Sequence, residues 1–317
     1  KIAGLMTDAG LNAPRVLAWD EAQGFMLLSD LGSQTMMQVI QQQAPLDPFP
    51  PAGSPIHQMY MDAVDALIAW QLSSRPGVLP AYDDALLSRE LQLFPDWYIA
   101  KHRGITVDAD LQDKLAGFFA QIKDSNLHSL GGARVFVHRD FMPRNLMVPA
   151  RADETRLGVL DFQDAVYGPI SYDIASLMRD AFLTWDEDFV LDITIRYWEK
   201  ARKAGLMDFE DWHSDFGAFY KAVEWMGLQR HLKILGIFAR LSLRDGKPKY
   251  LADTPRFIQY ARATAARYIE LKPLLRHEVD GIPGSGSEAE VATGEGENIE
   301  SRGPGFDLVK RIVDGDG

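Results

Sequence analysis

Residues 138–145 read His-Arg-Asp-Phe-Met-Pro-Arg-Asn, and residues 160–164 read Leu-Asp-Phe-Gln-Asp. Short apolar runs surround these two stretches, at residues 135–137, 146–148 and 157–160. Runs of this length, bounded by polar turns, are typical of β-strands. The sequence therefore predicts a strand-turn-strand frame that brings the two polar stretches next to each other.

Three side chains in these stretches have the chemistry of phosphoryl transfer. The catalytic loop of protein kinases reads His-Arg-Asp, followed after four residues by Asn, and a later Asp-Phe-Gly binds the metal. Asp140, Asn145 and Asp161 occupy the positions of this Asp, this Asn and the metal-binding Asp. Gln163 replaces the glycine of the second pattern. Such a reaction needs a base beside the acceptor hydroxyl and a metal ion that bridges the phosphates. Each residue alone is compatible with a structural role, but together they predict a site that phosphorylates a hydroxyl group.

The composition is that of an ordinary globular protein. The 317 residues are 46% hydrophobic and 25% charged, enough for one large or two modest domains. We find no long apolar run and no basic-then-apolar leader, so we expect neither a membrane span nor a secretory signal. The absence of cysteine excludes disulfides and suits a cytoplasmic location. The net charge of −12 argues against a nucleic-acid partner, because phosphate binding needs a basic face.

Helical periodicity dominates outside the catalytic stretches. Short apolar runs at residues 15–19 and 24–28 predict a hairpin, and five prolines within residues 44–55 predict an exposed connection. Apolar residues recur at helical spacing in seven segments, which are 2–10, 57–72, 85–98, 111–127, 189–204, 211–243 and 254–275. The expected fold class is therefore α+β with a large helical part.

Two further stretches carry a family resemblance together with the catalytic ones. Residues 25–33 read Phe-Met-Leu-Leu-Ser-Asp-Leu-Gly-Ser, and residues 230–240 read Arg-His-Leu-Lys-Ile-Leu-Gly-Ile-Phe-Ala-Arg. With residues 137–147 and 160–165, they make the chain resemble the aminoglycoside phosphotransferase and choline kinase superfamily. Within it, the chain is most similar to the bacterial anomeric kinases of N-acetylmuramate and N-acetylglucosamine. The resemblance covers residues 1–275.

The resemblance implies a protein-kinase-like fold with a truncated N-terminal lobe. Residues 1–32 would be the remnant of the small nucleotide-binding lobe and the hinge, and residues 33–275 a helical catalytic and substrate-binding lobe with the catalytic hairpins. Residues 276–317 would be an acidic tail. Gly- and Ser-rich composition without apolar periodicity predicts disorder there.

The resemblance also implies the reaction. The γ-phosphoryl group of ATP would pass to the anomeric C1 hydroxyl of N-acetylmuramate or N-acetylglucosamine, in peptidoglycan recycling. Asp140 would act as the base, and Asn145 and Asp161 would bind Mg²⁺.

By the same resemblance, the adenine of ATP would bind at the hinge, at Met26, Leu28, Asp30 and Leu31. The apolar pattern of this stretch does not exclude a plain buried strand and turn. The superfamily's first strands, with their phosphate-covering loop and lysine, have no counterpart in this sequence. We therefore expect the 317-residue chain to bind ATP weakly or not at all.

Six residues are candidates for contacts with the acceptor sugar, because a sugar needs an apolar surface for its ring and polar groups for its hydroxyls. They are Gln163, Asp164, Glu224, Trp225, Arg230 and His231. Either Arg230 or Arg240 has the charge to pair with the lactyl carboxylate of N-acetylmuramate. A surface charge or a core side chain explains any single one of the last four candidates at least as well.

Two arginines and one aspartate complete the set of candidates. Arg139 beside the base and Arg144 within the loop could neutralise the charge that develops on the phosphoryl group. Arg144 could equally pair with Asp164 or Asp173. We expect Asp173, at the start of a helix, to accept backbone N–H bonds and brace the catalytic loop, as the matching residue does in the superfamily.

Two other functions stay open. An antibiotic-modifying phosphotransferase would share the catalytic residues, although a pocket for polycationic aminoglycosides is expected to be rich in carboxylates. A chain without the first strands could instead be an inactive binding module. The sequence decides neither the preferred sugar, nor the number of metal ions, nor the oligomeric state.

Overall fold

Helices dominate the part of the chain that the computed structural model describes, which is residues 1–43, 47–150 and 153–274. The helices are α1 (Ile2–Asp8), α2 (Met36–Gln41), α3 (Pro55–Leu72), α4 (Asp84–Leu93), α5 (Ala109–His128), α6 (Ser171–Met178), α7 (Glu187–Lys203), α8 (Phe216–Leu243) and α9 (Thr254–Arg267). The strands are β1 (Val16–Asp20), β2 (Phe25–Leu28), β3 (Arg134–Val137), β4 (Leu146–Met147), β5 (Gly158–Val159) and β6 (Val166–Pro169). The acidic tail predicted at 276–317 lies outside the described residues.

These strands pair into two-stranded antiparallel sheets. β1 pairs with β2, β3 with β6, and β4 with β5. The predicted amino-terminal hairpin is β1–β2, whose apolar side chains are exposed, with Trp19 at 59% and Phe25 at 67%. The predicted frame around the catalytic stretches is present, and β4–β5 is its hairpin.

The partner of β3 is a strand that the sequence did not indicate. β6 contains Gly168 and Pro169, and both residue types are unfavourable inside strands. Gly168 is required because Tyr82 packs against it: a Cβ at this position would lie 2.6 Å from the Cβ of Tyr82. Val166 lies opposite Val137, and Pro169 ends the strand just before α6.

The helix predicted over residues 85–98 is divided in two. α4 ends at Leu93, and a π-helix continues from Phe94 to His102. Pro95 has no N–H group and so cannot donate to the carbonyl of Leu91, which ends the α-helical hydrogen-bond ladder. The apolar periodicity was correct, but it did not distinguish the two helix types.

Two further helix boundaries differ from the prediction. The helix predicted from residue 211 begins at Phe216, because the side chain of Asp215 accepts a hydrogen bond from the N–H of Ala218 at 3.1 Å and caps it. The helix predicted to reach residue 275 ends at Arg267, where Tyr268 is extended. A 3₁₀-helix follows at Ile269–Leu274.

α8 is the central helix and positions part of the site. It is buried along most of its length and packs against α4, the π-helix, α6 and α9. Its approach to α4 is close at Gly236, where an added Cβ would lie 2.3 Å from the carbonyl oxygen of Leu93. Because this contact fixes the position of α8 relative to α4, it also fixes where residues 229–233 of α8 lie relative to residues 138–145.

No helix among residues 1–43, 47–150 and 153–274 combines the length and the apolar character needed to cross a bilayer.

Candidate active site

The catalytic loop, residues 138–145, connects β3 to β4 and is held at its start by α6. The buried carboxylate of Asp173 accepts backbone hydrogen bonds from His138 at 2.7 Å and from Arg139 at 3.0 Å. Burial raises the pKa of Asp173 to about 7, although the two N–H donors favour its ionised form. The prediction that Asp173 braces the loop is confirmed.

His138 ties the catalytic loop to the loop that follows β5. Its Nε2 donates to the carbonyl of Leu160 at 2.9 Å, and its Nδ1 accepts from the backbone N–H of Asp140 at 3.3 Å. This pattern requires a neutral ring with its proton on Nε2. Burial lowers the pKa of His138 to about 4, which keeps the ring neutral at pH 7. His138 therefore orients the backbone of Asp140.

Asn145 joins the two predicted active-site aspartates. Its Nδ2 donates to the backbone carbonyl of Asp140 at 2.9 Å and lies 3.4 Å from Oδ2 of Asp161. Gln163 donates from Nε2 to Oδ1 of Asp161 at 2.8 Å. Asp140 is half-buried and Asp161 is exposed, so both carboxylates are accessible to a substrate. The structure thus brings together Asp140, Asn145 and Asp161, with Gln163 beside them.

Asn145 and Asp161 have the donor atoms to hold a hard cation. Because the amide nitrogen of Asn145 makes the contacts above, its amide oxygen is the atom that can act as a ligand. Among the described residues, no group of three or more His, Cys, Asp or Glu side chains could hold a metal ion. One carboxylate and one amide oxygen suit Mg²⁺, which keeps several waters and binds together with substrate phosphates.

Two residues of the site have left-handed backbone conformations. The angle φ is 78° at Arg139 and 65° at Asp161. This conformation costs a non-glycine residue about 1–2 kcal/mol and tends to occur at functional sites. Here it bends the chain directly before the predicted base Asp140 and at the predicted metal ligand.

The two candidate arginines of the loop have different surroundings. The guanidinium of Arg139 contacts the buried Glu90 at 2.5 Å and also donates to the carbonyl of Asp164 at 3.4 Å. Arg144 is exposed and lies over the ring of Phe182, 5.1 Å from its centre. A role of either arginine at the phosphoryl group stays a prediction, and Arg139 has a structural contact in addition.

The segment predicted to bind adenine includes the end of β2. Its four residues are Met26, Leu28, Asp30 and Leu31, of which the first two are 46% and 43% exposed. The carboxylate of Asp30 accepts from the N–H of Gly32 at 2.9 Å. Leu31 packs on Gly158 of β5, where a Cβ would lie 2.9 Å from its Cδ1. The segment therefore touches the hairpin that leads to Asp161, and adenine binding stays a prediction.

The sugar candidates are not all at the catalytic loop. Gln163 and Asp164 are exposed beside Asp161. Arg230 is buried and donates from Nη1 to the carbonyl of Arg139 at 2.7 Å, so it belongs to the loop's support.

The other three candidates pack toward α9 and the 3₁₀-helix after it. Glu224 is buried and binds Arg267 and Tyr268. The ring centres of Trp225 and Tyr268 are 6.1 Å apart. His231 stacks on Tyr260 with ring centres 4.9 Å apart. Their contact with a sugar stays a prediction, and the structure gives each a packing role.

Sequence reasoning missed a buried polar cluster around Glu90 of α4. Its carboxylate is bound by Arg139 and by side chains of α8. One signal was available, since Leu87, Leu91 and Phe94 mark an apolar helix face on which Glu90 also lies. A charged residue at such a position is rarely buried without a partner.

The chain has relatives among known proteins. The model of the phosphotransferase enzyme family matches residues 1–212. The chain is 48% identical over 278 residues to the N-acetylmuramate/N-acetylglucosamine kinase of Pseudomonas aeruginosa, covering 86% of this chain and 75% of that protein. It is 47% identical over 266 residues to the kinase of the same name from Neisseria meningitidis, covering 83% and 74%. The chain therefore spans about three quarters of the length of these relatives.

Solved structures of similar fold have low sequence identity. Choline kinase from Cryptosporidium parvum superposes with a TM-score of 0.52 at 13% identity, covering 84% of this chain and 77% of that chain. The gentamicin complex of APH(2″)-IIa gives a TM-score of 0.51 at 14% identity, covering 81% and 78%. These similarities concern the fold alone, and they confirm the predicted protein-kinase-like fold.

Proposed function

The chain belongs to the phosphotransferase enzyme family, and we propose that it is an ATP-dependent kinase for the anomeric C1 hydroxyl of an N-acetyl amino sugar. The relatives named for N-acetylmuramate and N-acetylglucosamine, at 48% and 47% identity, support this acceptor class. The product would be a sugar 1-phosphate, as expected for the recycling of cell-wall sugars.

The observation that carries the proposal is the unit formed by Asp140, Asn145 and Asp161. Asp140 would accept the proton of the sugar hydroxyl as its oxygen bonds to the γ-phosphorus and the bond to the leaving ADP oxygen breaks. Asn145 keeps the backbone of Asp140 and the carboxylate of Asp161 at a fixed separation. Asn145 and Asp161 would hold Mg²⁺, which supplies neutralisation of phosphate charge when bound.

The charges around the loop do not distinguish this acceptor from a polycationic antibiotic. Arg230 and Lys233 are buried, and with Arg139 they are balanced by the buried carboxylates of Glu90 and Asp173. The choice of an N-acetyl amino sugar is therefore supported by the names of the relatives.

The test is Mg²⁺- and ATP-dependent turnover by this chain preceded by the first strands of the superfamily, with N-acetylmuramate, N-acetylglucosamine, kanamycin and choline as acceptors. We expect turnover of the amino sugars, and a loss of about 10²–10⁴-fold in Asp140→Asn, because the proton acceptor is removed. Turnover of kanamycin or choline alone would refute the acceptor class. No turnover of any acceptor would favour the binding module. Titration of the 317-residue chain with ATP tests its expected weak nucleotide binding separately.

A further inference from the structure

Glu90 has an unusual environment for a residue with no part in the proposed chemistry. It is 4% exposed, yet its carboxylate has four hydrogen-bond donors. Oε1 accepts from Arg139 at 2.5 Å and from Lys233 at 3.0 Å. Oε2 accepts from Gln229 at 2.9 Å and from Tyr82 at 3.0 Å. Both oxygens are therefore saturated by groups from α4's neighbours and from the catalytic loop.

Glu90 is a permanent negative charge. Burial alone would raise its pKa, but the charges of Lys233 and Arg139 outweigh that effect and lower the pKa to about 2. A carboxylate that stays ionised at every physiological pH does not exchange protons with a substrate. Its contribution to the site must come from what it holds in place.

Glu90 holds Arg139, the residue directly before the predicted base. Three groups of Arg139 are anchored: its N–H by Asp173, its carbonyl by Arg230, and its guanidinium by Glu90. A residue other than glycine keeps a left-handed backbone conformation only where several surrounding contacts hold it there. The angle φ of Arg139 is 78°. The Glu90 anchor differs from the other two because it acts on the side chain.

We propose that Glu90 is a positioning residue for phosphoryl transfer, which acts through Arg139 to keep Asp140 aimed at the acceptor hydroxyl. The same guanidinium reaches the carbonyl of Asp164 at 3.4 Å, in the loop after Asp161. Arg139 therefore connects the loop that contains Asp140 to the loop that follows Asp161, and Glu90 fixes the orientation of the Arg139 side chain. This role rests on the proposed function of Asp140.

The test compares two neutralised carboxylates. Glu90→Gln keeps the shape and one acceptor oxygen but removes the charge. The control is Asp192→Asn, whose carboxylate joins α7 to α3 through His57 at 3.0 Å, binds Arg196 of its own helix at 2.9 Å, and lies away from the catalytic loop. We expect kcat of Glu90→Gln to fall about 100-fold, the typical cost of displacing a reacting group by 1 Å. KM for sugar and ATP should change less than about threefold, and Asp192→Asn should keep kcat.

A double variant tests the route through Arg139. Because Glu90→Gln and Arg139→Gln remove the same contact, the double variant should be no slower than the slower single variant. Losses of kcat that multiply would refute an action through Arg139, as would a kcat of Glu90→Gln within threefold of wild type. Glu90→Asp, which keeps the charge, should recover part of the lost kcat, and no recovery would contradict the role of charge.

Amide hydrogen exchange gives a readout that does not need turnover. The N–H groups of His138 and Arg139 should exchange faster in Glu90→Gln, or in Glu90→Asp if Glu90→Gln does not fold, and not in Asp192→Asn. Unchanged exchange would overturn the proposal. If the wild-type protein phosphorylates only a different acceptor, the proposed function fails, and the comparison of kcat is made with that acceptor. If it phosphorylates none, exchange alone decides.

Discussion

Replacing Gly236 by alanine should destabilise the protein, although alanine is the better helix former. Gly236 lies inside α8, opposite the end of α4. A Cβ there would lie 2.3 Å from the carbonyl oxygen of Leu93, 2.4 Å from its carbonyl carbon and 2.7 Å from its Cβ. Favourable contacts begin near 3.5 Å, so the two helices would have to separate by about 1 Å.

The size of the effect follows from two opposing terms. Inserting a methyl group into a packed interior costs about 1–3 kcal/mol, and the upper end applies because two of the three obstructing atoms belong to the backbone. Alanine in place of glycine returns about 1 kcal/mol within a helix. We expect a net loss of about 2 kcal/mol, which lowers Tm by about 3 °C, because the unfolding entropy is about 2.1 cal/mol/K per residue.

The matched control is Gly117→Ala in α5, where an added Cβ meets no atom within 4 Å. There only the gain of about 1 kcal/mol in helix propensity acts, and Tm should rise by about 1–2 °C. Thermal unfolding followed by circular dichroism measures both shifts. A Gly236→Ala variant as stable as Gly117→Ala would refute the close crossing of α8 and α4. The crossing also sets the 3.0 Å contact between Lys233 and Glu90, so kcat should fall in Gly236→Ala only.

Two further substitutions test residues of α8 that pack away from the loop. Burial lowers the pKa of His231 to about 3, so below about pH 6.5 the unfolded chain binds a proton that the folded chain does not, and stability is lost as the pH falls. In urea unfolding from pH 6.5 to 4, His231→Gln should flatten this loss by up to about 1.4 kcal/mol per pH unit, and an unchanged slope would contradict a neutral buried ring. Glu224→Gln should cost about 1–3 kcal/mol of stability, because Arg267 then keeps only Glu187 as an anionic partner. If Glu224 has only this packing role, KM for the sugar should stay unchanged. A tenfold higher KM at full stability would place Glu224 in the sugar site instead.

The sequence predicted the elements whose signals are local. Helical periodicity located α3, α5 and α7 to within two residues at each end, because each has one apolar face and a polar cap. Periodicity failed where contacts with a neighbouring element determine the backbone conformation. The π-helix after α4 depends on Pro95 and on the crossing with α8, and β6 depends on the space that Tyr82 leaves at Gly168.

The proximity of the three candidate catalytic residues was also predictable, because their spacing is short. Asp140 and Asn145 lie five residues apart in one loop, and β4–β5 returns the chain to Asp161. The sequence did not show that His138 ties this loop to the carbonyl of Leu160, whereas the family resemblance indicated the brace at Asp173.

The contacts of Glu90 with the catalytic loop illustrate why the supporting residues of the site could not be predicted from the sequence. The place of Glu90 on the apolar face of α4 predicts a buried charge, and a buried charge predicts a cation beside it. It does not predict which cation. Arg139 is 49 residues away and Lys233 is 143 residues away, on a loop and a helix with no shared periodicity. The packing of α4 against the catalytic loop selects Arg139, and its packing against α8 selects Lys233. The second packing depends on the absence of a side chain at Gly236. In the proposed positioning role of Glu90, the orientation of Asp140 therefore depends on a glycine that lies far from it in the sequence and carries no chemistry of its own.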